Sequence, residues 1–117
     1  MKMYIIINDK LKDKGLIAAQ CSHAVLDYMD NKIKECCNPA FGYSVCEDIN
    51  ELRIMLDYFR YNGNGMIVLK APEEILIQLQ NQGYTTVVDR LMDNMVVAVN
   101  LGMCDEVPEV TKGLKLV

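Results

Sequence analysis

No stretch of this 117-residue chain stays apolar for long. Unbroken runs such as Tyr4–Ile7 and Met95–Val99 fall far short of the ~20 residues that cross a bilayer, so no membrane span is expected. Met1–Lys10 turns polar after its short apolar run and does not read as a secretory signal peptide. Histidine is nearly missing: His23 is the only one. The five cysteines (Cys21, Cys36, Cys37, Cys46 and Cys104) include no CxxC pair. Tetrahedral zinc sites use paired Cys/His spacings, so no metal and no cofactor are expected. Without a secretory signal the thiols read as reduced, in a cytoplasmic protein rather than a disulfide framework. Excess positive charge is also missing. At a net charge of −4 the chain lacks the broad basic face of a nucleic-acid-coating protein. Two small basic patches remain, Lys10, Lys12 and Lys14 near the start and Lys112 and Lys115 near the end. Repeats, low-complexity segments and linkers are absent, which implies a single domain over 1–117.

What is present suits a globular chain, with 51% hydrophobic residues. Met3–Ile7 is rich in β-formers and reads as a buried strand. Asn8–Lys14 reads as a loop and Gly15–Lys34 as a long helix. In that helix Ile17, Cys21, Ala24, Val25 and Tyr28 recur at helical spacing as its buried stripe. A break at Asn38–Tyr43 precedes a second helix over Glu47–Tyr61, and Asn62–Gly65 reads as a turn. Met66–Lys70 reads as a strand. Pro72-Glu-Glu74 opens a third helix, which Gly83 closes. Thr85–Val88 and Met95–Val99 read as the remaining strands. The order βααβαββ implies an α/β fold, a mixed sheet covered by helices on both faces.

The functional signal centres on Lys14–Asp27. Leu16, Gln20, His23 and Asp27 follow one another at spacings of four, three and four, which stacks them along one helix face. Histidine exchanges protons near neutral pH without perturbation. Two readings of His23 stand side by side: it activates water or orients a substrate, or it hydrogen-bonds Asp27 one turn on. The lysines before the helix also have two readings, a solvated loop or contacts to phosphate.

The segment Lys14-Gly-Leu-Ile-Ala-Ala-Gln-Cys-Ser-His-Ala24 resembles the hallmark of the archaeal and eukaryotic type of peptidyl-tRNA hydrolase. In that family Lys-Gly-Lys and an aliphatic residue precede Ala-Ala-Gln-Cys-Ser-His-Ala, after a strand ending near Asn-Asp, here Asn8-Asp9. Val110-Thr-Lys-Gly-Leu-Lys-Leu-Val117 is similar to the family's closing motif, and Met66–Pro72 with Glu73-Glu74 to its Val-Val-Val-Lys strand and acidic helix start. The resemblance implies a four-stranded mixed sheet with helices on both faces, a homodimer, and a metal-free hydrolase of the ester between peptide and tRNA. Carried over by position, it implies His23, Asp89 and Lys14 as catalytic groups if the chain is active. Lys14, Gln20, His23 and Asp89 become the ligand-binding set.

Two departures bear on activity. The family's second lysine, counted as catalytic, is Leu16 here, and leucine cannot donate to an oxyanion or a phosphate. The family's threonine-bearing loop after the aspartate is replaced by the shorter Arg90–Asn94. The reading carried forward is a degenerate, non-hydrolytic binder that sequesters or senses a nucleotide or other phosphate-bearing ligand. Its small size and trimmed loop would suit a viral or mobile-element protein. An active hydrolase acting on peptidyl-tRNA and a structural or interaction protein are the alternatives.

Overall fold

The computed structural model describes residues 2–36 and 65–117, together with Arg53, Ile54, Leu56 and Asp57. The expected break at 38–43, the turn at 62–64 and most of the expected helix over Glu47–Tyr61 lie outside the described residues. The four isolated residues are helical.

β1 (Lys2–Asn8) leads through a short turn into α1 (Lys14–Cys36). β2 (Met66–Ala71), α2 (Glu73–Asn81), β3 (Thr85–Asp89) and β4 (Met95–Cys104) follow. A two-residue strand, β5 (Lys115–Leu116), closes the chain. The sheet order is β3-β4-β1-β2-β5. β1 and β2 are parallel and the other neighbours antiparallel, so the sheet is mixed, as expected. The fifth strand adds to the four expected; two edge residues are too few to leave an alternating pattern in sequence.

β1 is central, and its residues from Ile5 to Asn8 are buried on both faces. This explains why it reads as a continuous apolar run rather than an alternation. Met3, Ile5 and Ile7 join Val87, Val97 and Ala24 in a cluster beneath α1, with Ile17, Cys21, Val25 and Tyr28 packed on it from the helix. Ile6 points the other way and meets Leu69, Leu76, Leu79 and Val99 beneath α2. Helices therefore cover both faces. The Ile17–Tyr28 stripe is the face that docks, with Ala24 fully buried at its centre.

Two register shifts in β4 shape the sheet, one opposite Tyr4/Ile5 and one opposite Val87/Val88. Asn100, 1% exposed, spans the first. Its Nδ2 donates to the Ala24 carbonyl at 3.1 Å and its Oδ1 accepts the Gly102 N–H at 2.7 Å. One buried amide thus ties the bulge to α1. Gly102 sits at φ 76°, and a Cβ there would lie 2.8 Å from the Tyr28 ring, so both conformation and space demand glycine.

β1 and β3 both run antiparallel to β4, and β2 runs parallel to β1. The C-terminal ends of these three strands, Asn8, Ala71 and Asp89, therefore share one sheet edge, and α1 begins just past one of them. Ligands of open α/β sheets collect at such edges.

Candidate functional site

Asn8 organises this edge. Fully buried, it donates from Nδ2 to the Val96 carbonyl at 2.9 Å, while its Oδ1 accepts the Lys10 N–H at 3.0 Å. The side chain fastens the start of β4 and shapes the turn into α1. The turn ends at Asp13, whose Oδ1 accepts the Leu16 N–H at 2.8 Å. A side-chain oxygen on the third N–H of the helix is an N-cap. The positive end of α1 is thus already engaged by a carboxylate, which opposes a phosphate at the same place.

At the other end of the edge, Asp89 closes β3. Its Oδ1 accepts the Leu91 N–H at 2.9 Å and caps a 3-10 turn at Arg90–Met92. Asp93 and Asn94 then take left-handed conformations and feed the chain into β4. The shortened segment after Asp89 is therefore a tight, self-capped turn.

Gln20 projects from α1 to the same point, and its Nε2 donates to Asp89 Oδ2 at 3.5 Å. Gln20 is 6% exposed, and its Oε1 is buried with no hydrogen-bond partner. The opposite amide orientation would set Oε1 against the carboxylate, so chemistry fixes the donor toward Asp89. The site therefore holds an acceptor that lacks a donor. Such a group costs about 1–3 kcal/mol when nothing pairs with it.

The remaining expected residues divide around α1. Leu16 stands one turn before Gln20 on the same flank and packs against the core beneath the helix. His23 stands on that flank one turn after Gln20, exposed, and makes no hydrogen bond to Asp27 or to any other described residue. Lys14 does not join them. Nine residues from His23 amount to about 2.5 turns, which sets the two on opposite sides of the helix. Lys14 instead lines a groove with Ile17, Leu11, Lys12 and Lys70 beside β1 and β2. The structure brings Gln20 and Asp89 together, leaves His23 exposed one turn farther along α1, and puts Lys14 elsewhere. Cys21, next to Gln20, is half-buried, and burial pushes its thiol up from the ordinary value, away from nucleophilic thiolate character.

The comparisons bear on this arrangement. The family model described as peptidyl-tRNA hydrolase PTH2 matches residues 1–117, the whole chain. The chain belongs to that family. A comparison with curated proteins gave no match. Membership fits the mixed sheet. Among the described residues, no helix is long and apolar enough to cross a membrane, and no three His, Cys, Asp or Glu residues are placed to hold a metal ion.

Sequence reasoning missed Asp13 as the cap of α1, although an aspartate just before a helical pattern is the relevant signal. It also kept the two basic patches apart. Folding sets Lys115 beside Lys70 and Lys12, whereas Lys112 turns away and pairs with Glu109 at 2.9 Å.

Proposed function

We propose that this member of the peptidyl-tRNA hydrolase family binds a phosphate-bearing ligand, a nucleotide or the end of a tRNA, without hydrolysing it. The observation that supports this reading most strongly is Leu16. Ester cleavage must stabilise negative charge developing on the carbonyl oxygen. The α1 flank facing Asp89 offers an amide at Gln20 and apolar packing at Leu16, and no ammonium. Lys14 lies on the other side of the helix, in the β1–β2 groove, and does not replace the missing lysine. Loss of one such donor costs about 10²–10³ in turnover. Asp89 is itself held by Leu91 and Gln20, which suits a fixed polar frame.

Binding is favoured by the unpaired Gln20 Oε1. A ribose hydroxyl or a base amino group would supply its donor, and His23 lies one turn on to meet the same ligand. The second reading, an active hydrolase, draws on His23, whose imidazole is exposed and makes no hydrogen bond to any described residue. The homodimer implied by the family is part of the same proposal, and light scattering at micromolar concentration tests it.

Calorimetric titration of adenosine and guanosine nucleotides tests the binding reading. The wild type should bind at least one of them, and Gln20→Met or His23→Ala should weaken binding about tenfold, the loss of one hydrogen bond to the ligand. Unchanged binding in both variants would place the ligand elsewhere.

A further inference from the structure

A hollow of about 430 Å³ opens at the other end of the α1–β3 seam from Gln20 and Asp89. Its walls include Tyr28, Asn31 and Lys32 from α1, Tyr84 and Thr85 at the start of β3, and Asn100 from β4. Tyr28 comes eight residues after Gln20, about 12 Å along the helix axis, so the hollow is separate from that flank. Two contacts hold its walls in place. Asn31 Nδ2 donates to Thr85 Oγ1 at 3.3 Å and latches the second half of α1 to β3. The Tyr28 ring lies against Gly102 on β4, where a Cβ would have no room.

The chemistry of the lining points one way. Tyr28 and Tyr84 are half-buried, and neither hydroxyl hydrogen-bonds any described residue. The Thr85 hydroxyl accepts from Asn31 and donates to no described residue. Lys32 holds its ammonium 5.8 Å from the centre of the Tyr28 ring. Lys34 reaches the same hollow while pairing with Asp30 at 2.8 Å. Among the described residues, no carboxylate lines it. Hydroxyls accept as well as donate, so they do not set the sign of a ligand. The ammonium groups do, and they favour an anion. Both tyrosine rings also pack, Tyr28 on the core beneath α1 and Tyr84 on the cluster beneath α2. Phenylalanine would meet that need equally well, which leaves the two hydroxyls without a structural role.

We propose that this hollow is a second binding site, which takes a small organic phosphate. A phosphomonoester carries three strong acceptor oxygens and a charge of about −1.5 to −2. The hydroxyls of Tyr28, Tyr84 and Thr85 donate to those oxygens, and the Lys32 ammonium balances the charge. Pockets of about 300–1,000 Å³ hold small molecules. Phosphate alone fills only part of this one, so there is room for an organic portion the size of a sugar. The site uses no residue of the Gln20–Asp89 flank, and it stands or falls independently of the function proposed above.

The test is calorimetric titration with three probes: glucose 6-phosphate, glucose and inorganic phosphate. The proteins are wild type, Tyr28→Phe/Tyr84→Phe, Lys32→Gln, and the control Tyr4→Phe, which removes a phenol hydroxyl outside the hollow. The wild type and the control should bind glucose 6-phosphate alike. They should bind inorganic phosphate more weakly and glucose not measurably. Tyr28→Phe/Tyr84→Phe keeps both rings and should bind glucose 6-phosphate at least about tenfold more weakly, as two hydrogen bonds to a charged group are lost. Lys32→Gln should weaken it by about tenfold as well, and the wild-type affinity should fall with added salt. No binding of glucose 6-phosphate by the wild type, or unchanged affinity in the tyrosine double variant and in Lys32→Gln, would overturn the site. Glucose binding as tightly as its phosphate would overturn the assignment to an anion. Inorganic phosphate binding as tightly as glucose 6-phosphate would overturn the assignment to an organic ligand.

Discussion

Gln20 and Asp89 stand 69 positions apart in sequence and meet where α1 crosses the end of β3, with Gln20 Nε2 donating to Asp89 Oδ2 at 3.5 Å. The contact joins a buried amide to a half-buried carboxylate. Gln20→Glu replaces a donor by a second negative charge at the same point. The variant should lose about 1–3 kcal/mol at neutral pH, measured by urea unfolding. A carboxyl so placed is held above its ordinary value, so the penalty is small in acid and grows as pH rises through that raised value. Lowering the pH should therefore narrow the gap to wild type. A gap that widened in acid would mean that the two side chains do not meet.

Asp13 caps α1 through the Leu16 N–H at 2.8 Å. Asp13→Ala should cost about 0.5–2 kcal/mol by chemical denaturation, and Asp13→Ser considerably less. The substitution also uncovers the positive helix end. An anion that binds Asp13→Ala more tightly than wild type would locate a phosphate near that end. Identical stability of the two variants would remove the cap.

Gly102 and Tyr28 fix how α1 lies on the sheet. Gly102→Ala combines a φ of 76° with a Cβ 2.8 Å from the Tyr28 ring. A loss of about 1–3 kcal/mol is expected. Tyr28→Ala should relieve part of it in the double variant, which a double-mutant cycle would read as a coupling. Simple additivity would mean that strain in the backbone accounts for the whole cost.

Burial raises the thiols of Cys21 and Cys104, with the neighbouring Asp105 adding to the effect at Cys104. A raised value in the folded state means that the folded protein holds its protons longer. The corresponding stabilisation is present below the ordinary thiol value and is lost as pH climbs through the raised one. Peptide-resolved alkylation at mildly alkaline pH should be slower for both residues in the folded protein than after denaturation. Equal rates would show that neither thiol is shielded.

The elements were legible in sequence because their patterns are local. Isoleucines in β1, helical spacing from Ile17 to Tyr28, and Pro72 before α2 with two acids in its first turn each carry their own signal. β5 carried none, since Lys115–Leu116 is an edge strand defined only by its partner β2. The site was legible in parts. Gln20 and His23 could be grouped by helical spacing, whereas Lys14 lies near them in sequence but about half a turn out of phase with His23. Asp89 came from the family motif, because no periodicity links a strand end to a helix 69 residues earlier. The groove was hidden for the same reason. Lys12, Lys70 and Lys115 belong to three segments that only the sheet order brings together.

Loss of hydrolysis is tested most directly by turnover of a peptidyl-tRNA, measured side by side with a family enzyme that keeps both lysines of the Lys-Gly-Lys motif. The wild type should run at least about a hundredfold slower, the cost of one missing charge-stabilising donor. Leu16→Lys, which restores an ammonium one turn before Gln20, should raise whatever trace remains. Wild-type turnover within about tenfold of that enzyme, unchanged or lowered by Leu16→Lys, would contradict the non-hydrolytic reading and return the site to an active hydrolase.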